Sequence, residues 1–224
     1  MIAKSLFQSV AWIAALGALL FVPAGTLHWP AAWVFVGVML LIGLGCSSWL
    51  AKYNPELLAE RLRPPIQASQ PAADKKIVFA LGVTFLIWFV VMGLDERLYP
   101  SRMPLGLQIV GLALLVGSTI LIMWVFRENS FAAAVVKVQS ERGHHVVSTG
   151  PYALVRHPMY SSALLFFLGS ALLLGSWWGT AMSPVFAILF GIRTGIEENA
   201  LTTGLPGYAE YAARVRYRLV PGMW

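Results

Sequence analysis

Residues 159–192 read MYSSALLFFLGSALLLGSWWGTAMSPVFAILFGI, an apolar run of 34 residues with no Asp, Glu, Lys or Arg. One membrane-spanning helix needs about 20 apolar residues, so the run is too long for a single straight crossing. Gly175-Ser176-Trp177-Trp178-Gly179 interrupts it midway, placing breakers beside aromatics that favour the membrane interface. The expected structure is a helical hairpin whose arms are each a little short; one span plus a re-entrant piece is the alternative. Upstream, residues 7–27, 31–51, 77–94 and 105–126 each form an apolar run long enough to cross a bilayer. The first exceeds a usual signal-peptide core of about 7–15 residues and is expected to stay as an uncleaved helix. The fold class is therefore all-α integral membrane, with about six (five to six) transmembrane helices, the last two a hairpin. Residues 208–221 are expected to form an amphipathic C-terminal helix on the membrane surface, with Tyr208 and Tyr211 as interface anchors.

Composition agrees with that reading. The chain is 58% hydrophobic and 12% charged, whereas soluble domains carry about a quarter charged residues. The net charge of +6 does not point to nucleic acid, because Lys and Arg fall between the apolar runs and form no single patch. One cysteine, Cys46, lies within a span and supports neither a disulfide framework nor a thiolate metal site. With the N-terminus inside, every Lys and Arg except Arg97 and Arg102 falls on the cytoplasmic side. By the positive-inside rule both termini are cytoplasmic. Asn54-Pro55-Glu56 is a helix-start signal and predicts a short interfacial helix with Leu57 and Leu58 dipping into the headgroups. Residues 64–71 read as an extended linker, and Gly43 and Gly45 as close helix packing.

The polar groups flank the long run. Before it stand Gly150-Pro151-Tyr152 and Arg156-His157-Pro158-Met159-Tyr160; after it stand Arg193, Glu197 and Glu198. Pro158 suits a first helical turn, which makes His157 the N-cap and leaves backbone N–H groups able to hold a carboxylate. Membrane-edge anchoring is the plainer alternative. Arg193 and Glu197 share a helix face at i,i+4; they read either as an ion pair with a spare acid or as acids placed beside a cationic ligand. His144 and His145 sit in the preceding loop, but a zinc site would need further ligands at suitable spacing, so no metal is expected.

The pattern G-P-Y-x-x-x-R-H-P-x-Y, then R-x-x-x-E-E-x-x-L, Y-x-x-Y and R-x-x-P, resembles the isoprenylcysteine carboxyl methyltransferase family and its phospholipid methyltransferase relatives. The resemblance covers residues 127–224, leaving 1–126 as a four-span membrane region of the same continuous domain. It implies an S-adenosyl-L-methionine-dependent methyltransferase. The cofactor pocket would be formed by Gln139, His144, His145, Val146, Val147, Tyr152, His157, Pro158, Met159, Tyr160, Glu197 and Glu198. Glu197 would also take part in catalysis, and Arg193 would address the substrate's carboxylate. Spacing departs by one residue between Glu198 and Tyr208. The implied partners are membrane lipids and a lipophilic or lipid-modified acceptor, with no nucleic acid and no obligate protein partner. The acceptor is expected to be a carboxylate such as a prenylcysteine-like or isoprenoid acid; a phospholipid amine or small thiol is the alternative. A NADPH-dependent reductase resembling the sterol reductases is the nearest rival, but Met159 stands where those carry Asn. A scaffold or transporter is the third reading, weakened by span interiors almost free of ionisable groups.

Overall fold

The computed structural model describes residues 2–68, 70–99 and 103–224. Ser69 of the expected linker and Arg102 of the expected outer-face pair lie outside the described residues. Among the described residues, eight α-helices follow in order: α1 (Ile2–Ala24), α2 (Pro30–Tyr53), α3 (Pro55–Arg61), α4 (Ala72–Leu98), α5 (Leu105–Glu128), α6 (Pro158–Leu173), α7 (Trp177–Gly204) and α8 (Tyr208–Arg214). Among the described residues there is no strand. Five helices (α1, α2, α4, α5 and α7) are long and apolar enough to cross a membrane. The sixth, α6, has 16 residues and spans about 24 Å, short of a hydrocarbon core of about 30 Å. The long apolar run is thus a hairpin of unequal arms. It breaks at Gly175, whose φ is +75°, and Ser176 caps α7 by accepting from the Gly179 N–H at 2.9 Å.

α1 packs on α2 and α4, α4 on α7, α7 on α6 and α6 on α5. Successive helices alternate in direction, so the start of α1, end of α2, start of α4, end of α5, start of α6 and end of α7 gather at one face. Aromatic rings fill the middle: Phe167 stacks on Phe186 at 3.6 Å, and the Trp88 indole donates to the Gly179 carbonyl at 2.8 Å. α5 and α6 touch backbone to backbone, because a Cβ at Gly169 would lie 2.8 Å from the Gly111 carbonyl. Close approach of this kind replaces the hydrophobic drive that lipid removes. The glycines that bring helix backbones together are Gly111, Gly169 and Gly93, the last against Leu20 of α1; at Gly45 a Cβ would meet nothing, and at Gly43 only Ser9 at ordinary contact distance.

Three local expectations change in three dimensions. Asn54 caps α3 as read, accepting from the Leu57 N–H at 3.2 Å. Leu57 and Leu58, however, are buried against Val125, Phe126 and Ala132, since α3 folds under the bundle and not into headgroups. Residues 64–71 do more than connect: Gln70 is buried and its amide donates to Asp74 Oδ2. α8 ends at Arg214, and its Tyr208 and Tyr211 are buried in the protein, so they do not anchor it to a membrane surface.

Candidate active site

The start of α6 organises the site. His157 is the N-cap and Pro158 opens the helix, but the imidazole turns away from the helix toward α7. Its Nδ1 lies 3.4 Å from Glu197 Oε2 and its Nε2 lies 3.3 Å from Glu198 Oε1. The Tyr160 hydroxyl donates to Glu197 Oε2 at 2.5 Å. The Tyr160 ring lies parallel to His157 and stacks on Phe190. Burial alone would depress the His157 pKa; the hydrogen-bonded Glu197 and Glu198 outweigh it and hold the imidazole above its ordinary value. First-turn donors are not all free, because the N–H groups of Tyr160 and Ser161 already point at the His157 carbonyl.

Glu198 faces the other way. Arg156 Nε donates to its Oε1 at 2.6 Å and Arg218 Nε to its Oε2 at 3.0 Å. Arg156 also donates to the carbonyls of Ala212, Val215 and Arg216. Backbone N–H groups of Arg156 and His157 pair with the Tyr217 and Arg218 carbonyls. Glu198 and Arg156 thereby strap the segment after α8 across the start of α6.

Residues 129–147 form the opposite wall. Phe131 packs on His144 at 4.5 Å and edge-on to His145. Gln139 is fully buried and wires this loop together: its amide donates to the Phe131 carbonyl, its Oε1 accepts from Arg142, and its N–H donates to His144 Nδ1. Burial, then the neighbouring His145 and Arg142, lower the His144 pKa and keep the ring neutral. The Asn129 amide donates to the Tyr152 hydroxyl, and Tyr211 donates to the Tyr152 carbonyl.

Between these walls lies a cleft of about 720 Å³, counted with its open mouth. Of the sequence-derived residues, His144, His145, Val146, Val147, Tyr152, His157, Met159, Tyr160 and Glu197 line it. Gln139, Pro158 and Glu198 stand behind the lining. Sequence reasoning missed Phe131 and Lys137, Leu201 and Leu205 along α7 and its end, and the inward faces of Tyr208 and Tyr211. The apolar i,i+4 pair Leu201–Leu205, in register with Glu197, was the available signal. Tyr208 is 4% exposed and its hydroxyl has no hydrogen-bond partner.

Arg193 does not line the cleft. Its Nε donates to Asp74 Oδ1 at 2.8 Å and its NH2 to the Ala134 carbonyl at 2.7 Å. Asp74, fully buried in the first turn of α4, also accepts from the Gln70 amide and the Val136 N–H. The Arg193–Glu197 ion pair, one of the two readings that the i,i+4 spacing left open, gives way to this long-range one, because a buried guanidinium binds the carboxylate that shares its burial.

Residues 107–205 match the family model for phospholipid methyltransferase. The matched stretch covers less than half of the chain. It runs from α5 to the end of α7 and carries both walls of the cleft. The chain is 27% identical over 140 residues to the cobalt-zinc-cadmium resistance protein CzcN of Cupriavidus metallidurans, covering 61% of this chain and 59% of the relative. It thus spans less than two thirds of that relative's length. Among solved structures, the eukaryotic intramembrane Ras methyltransferase ICMT matches with a TM-score of 0.61 at 20% identity, over 95% of this chain and 75% of that one. That likeness is one of fold.

Proposed function

We propose that this protein uses S-adenosyl-L-methionine to methylate a lipophilic acceptor bearing a carboxylate, at the cytoplasmic face of a bacterial inner membrane. The observation that carries the reading is the Glu197 carboxylate lining a cleft within the methyltransferase-matched stretch, held by Tyr160 and His157. When bound, the cofactor supplies a methyl group on a cationic sulfonium. The residues present fit it: a carboxylate for a cation or ribose hydroxyls, Phe131 and Tyr152 for an aromatic base, and the unpartnered Tyr208 hydroxyl for one further hydrogen bond. Tyr160 and protonated His157 keep Glu197 ionised and oriented. Phe131, Leu201 and Leu205 exclude water, so alignment and desolvation are what the chain contributes.

A carboxylate acceptor is already nucleophilic and needs no general base. For an amine or thiol, Glu197 would take the proton, since Glu198 is committed to Arg156 and Arg218 and His157 already carries its proton. Arg193 acts as a positioning residue that holds residues 134–136 through Ala134 and Asp74. Cofactor type separates this reading from the reductase one. Calorimetric titration of detergent-purified protein with S-adenosylmethionine, S-adenosylhomocysteine and NADPH should show saturable binding of the first two, lost in Glu197→Ala. Binding of NADPH alone would move the protein to the reductases.

A further inference from the structure

A second opening lies between the start of α1, the end of α2 and α3. It measures about 1270 Å³ with its mouth, and its walls include Gln8, Trp12, Cys46, Leu50 and Leu58. No Asp or Glu lines it. Because α1 and α2 have the length and apolarity of membrane spans, a groove between them faces lipid, and Trp12 at its side is exposed.

Arg61 stands at the inner end of this groove and is also its connection to the active-site cleft. Its NH1 donates to the Ala132 carbonyl at 3.0 Å and lies 3.8 Å from Met159 Sδ. Ala132 and Met159 both line the cleft. The guanidinium carbon sits 4.5 Å from the Phe126 ring centroid. Among the described residues no carboxylate lies within 4.0 Å of Arg61, whereas Lys137, Arg156 and Arg193 each have one: Glu60, Glu198 and Asp74. Arg61 is half-buried, and that burial lowers its pKa from its ordinary value. A cation in such surroundings is costly without a counter-charge, and the fold supplies only a carbonyl, a thioether and a ring face.

We infer that this groove takes the apolar chain of the methyl acceptor and that Arg61 binds the acceptor's carboxylate at the edge of the cleft. The inference rests on the methyltransferase reading and names its acceptor site. Charge selects the occupant. Arg63, the other arginine of the lining, already pairs with Glu60 at 3.4 Å, so the one guanidinium without a carboxylate balances one carboxylate, with geometry suited to a bidentate pair. A zwitterionic phospholipid head would bring an ammonium into a groove that offers it no acid.

The chain's one cysteine, Cys46, lines the groove and serves as the reporter. The rate of Cys46 modification by N-ethylmaleimide in detergent micelles is measured with farnesoic acid, farnesol or phosphatidylethanolamine present. Farnesoic acid is expected to slow modification about tenfold, the scale of one charge-assisted contact, with farnesol and phosphatidylethanolamine well behind. Arg61→Gln should abolish that protection and Arg61→Lys should keep part of it. Equal protection by acid and alcohol, protection by phosphatidylethanolamine matching the acid, protection surviving in Arg61→Gln, or no protection at all would overturn the assignment. Calorimetry with S-adenosylmethionine on the same preparations separates the two claims. Cofactor binding without protection sinks only the groove, and protection without cofactor binding sinks only the methyltransferase reading.

Discussion

Arg193 within α7 and Arg61 at the end of α3 perform the same local act. Each donates to a backbone carbonyl of the cleft wall, Arg193 to Ala134 and Arg61 to Ala132. Their regions differ in what balances the charge. Around Arg193 the fold closes on itself, with Asp74 accepting from the arginine, from Gln70 and from the Val136 N–H. Around Arg61 there is a groove, an aromatic face and, among the described residues, no carboxylate within 4.0 Å. A paired buried cation builds structure, and an unpaired one has capacity left for an anion from outside.

The sharpest way to break this comparison is to open the closed region. Asp74→Asn leaves Arg193 buried without its carboxylate and should cost about 3–5 kcal/mol of stability, read as a large drop in thermal melting temperature in detergent. Adding Arg193→Met to Asp74→Asn should recover most of the loss, because both charges are then gone. Next in size, Glu197→Gln should weaken S-adenosylmethionine binding about 100-fold by calorimetry while the protein still melts cooperatively. Arg61→Gln should behave opposite to Asp74→Asn, since it orphans no carboxylate. Its melting point should move little, within about 1 kcal/mol, while carboxylate protection of Cys46 disappears.

A smaller effect comes from His157, whose folded-state pKa lies above the ordinary 6.5. A raised pKa means that its stabilisation is fully present below about pH 6.5 and is lost as pH rises through the folded-state value. Melting temperature should therefore decline over that window, and His157→Asn should flatten the decline. A slope unchanged in the variant would place the titration elsewhere. Smallest of all, Tyr208→Phe removes a buried hydroxyl that lacks a partner. It should leave the ligand-free protein equally stable or about 1 kcal/mol more so, and should weaken cofactor binding several-fold if that hydroxyl meets the ligand.

Much of the fold was legible because its signals are local. Apolar length set the spans, Gly175-Ser176 set the hairpin break, Asn54-Pro55 set the start of α3, and His157-Pro158 set the start of α6. The core of the cleft was legible for a related reason. Tyr160 and Glu197 each lie close to an end of the long run, so folding that run into a hairpin brings them together. Spacing misjudged Arg193, because i,i+4 geometry cannot know of an acid 119 positions away. It also misjudged Leu57, Leu58, Tyr208 and Tyr211, whose amphipathic patterns suit a membrane surface and a protein interior equally well.

Sequence alone determined which segments are helices in lipid and where they stop, since a bilayer admits helices only above a certain apolar length. The tertiary structure decided which charges neutralise one another. Asp74 meets Arg193, Arg218 meets Glu198, and among the described residues no carboxylate comes within 4.0 Å of Arg61. Pairing of that kind depends on which helix ends share a face and how far each side chain is withdrawn from water. In a low-dielectric interior those distances set the energies, and no local pattern records them.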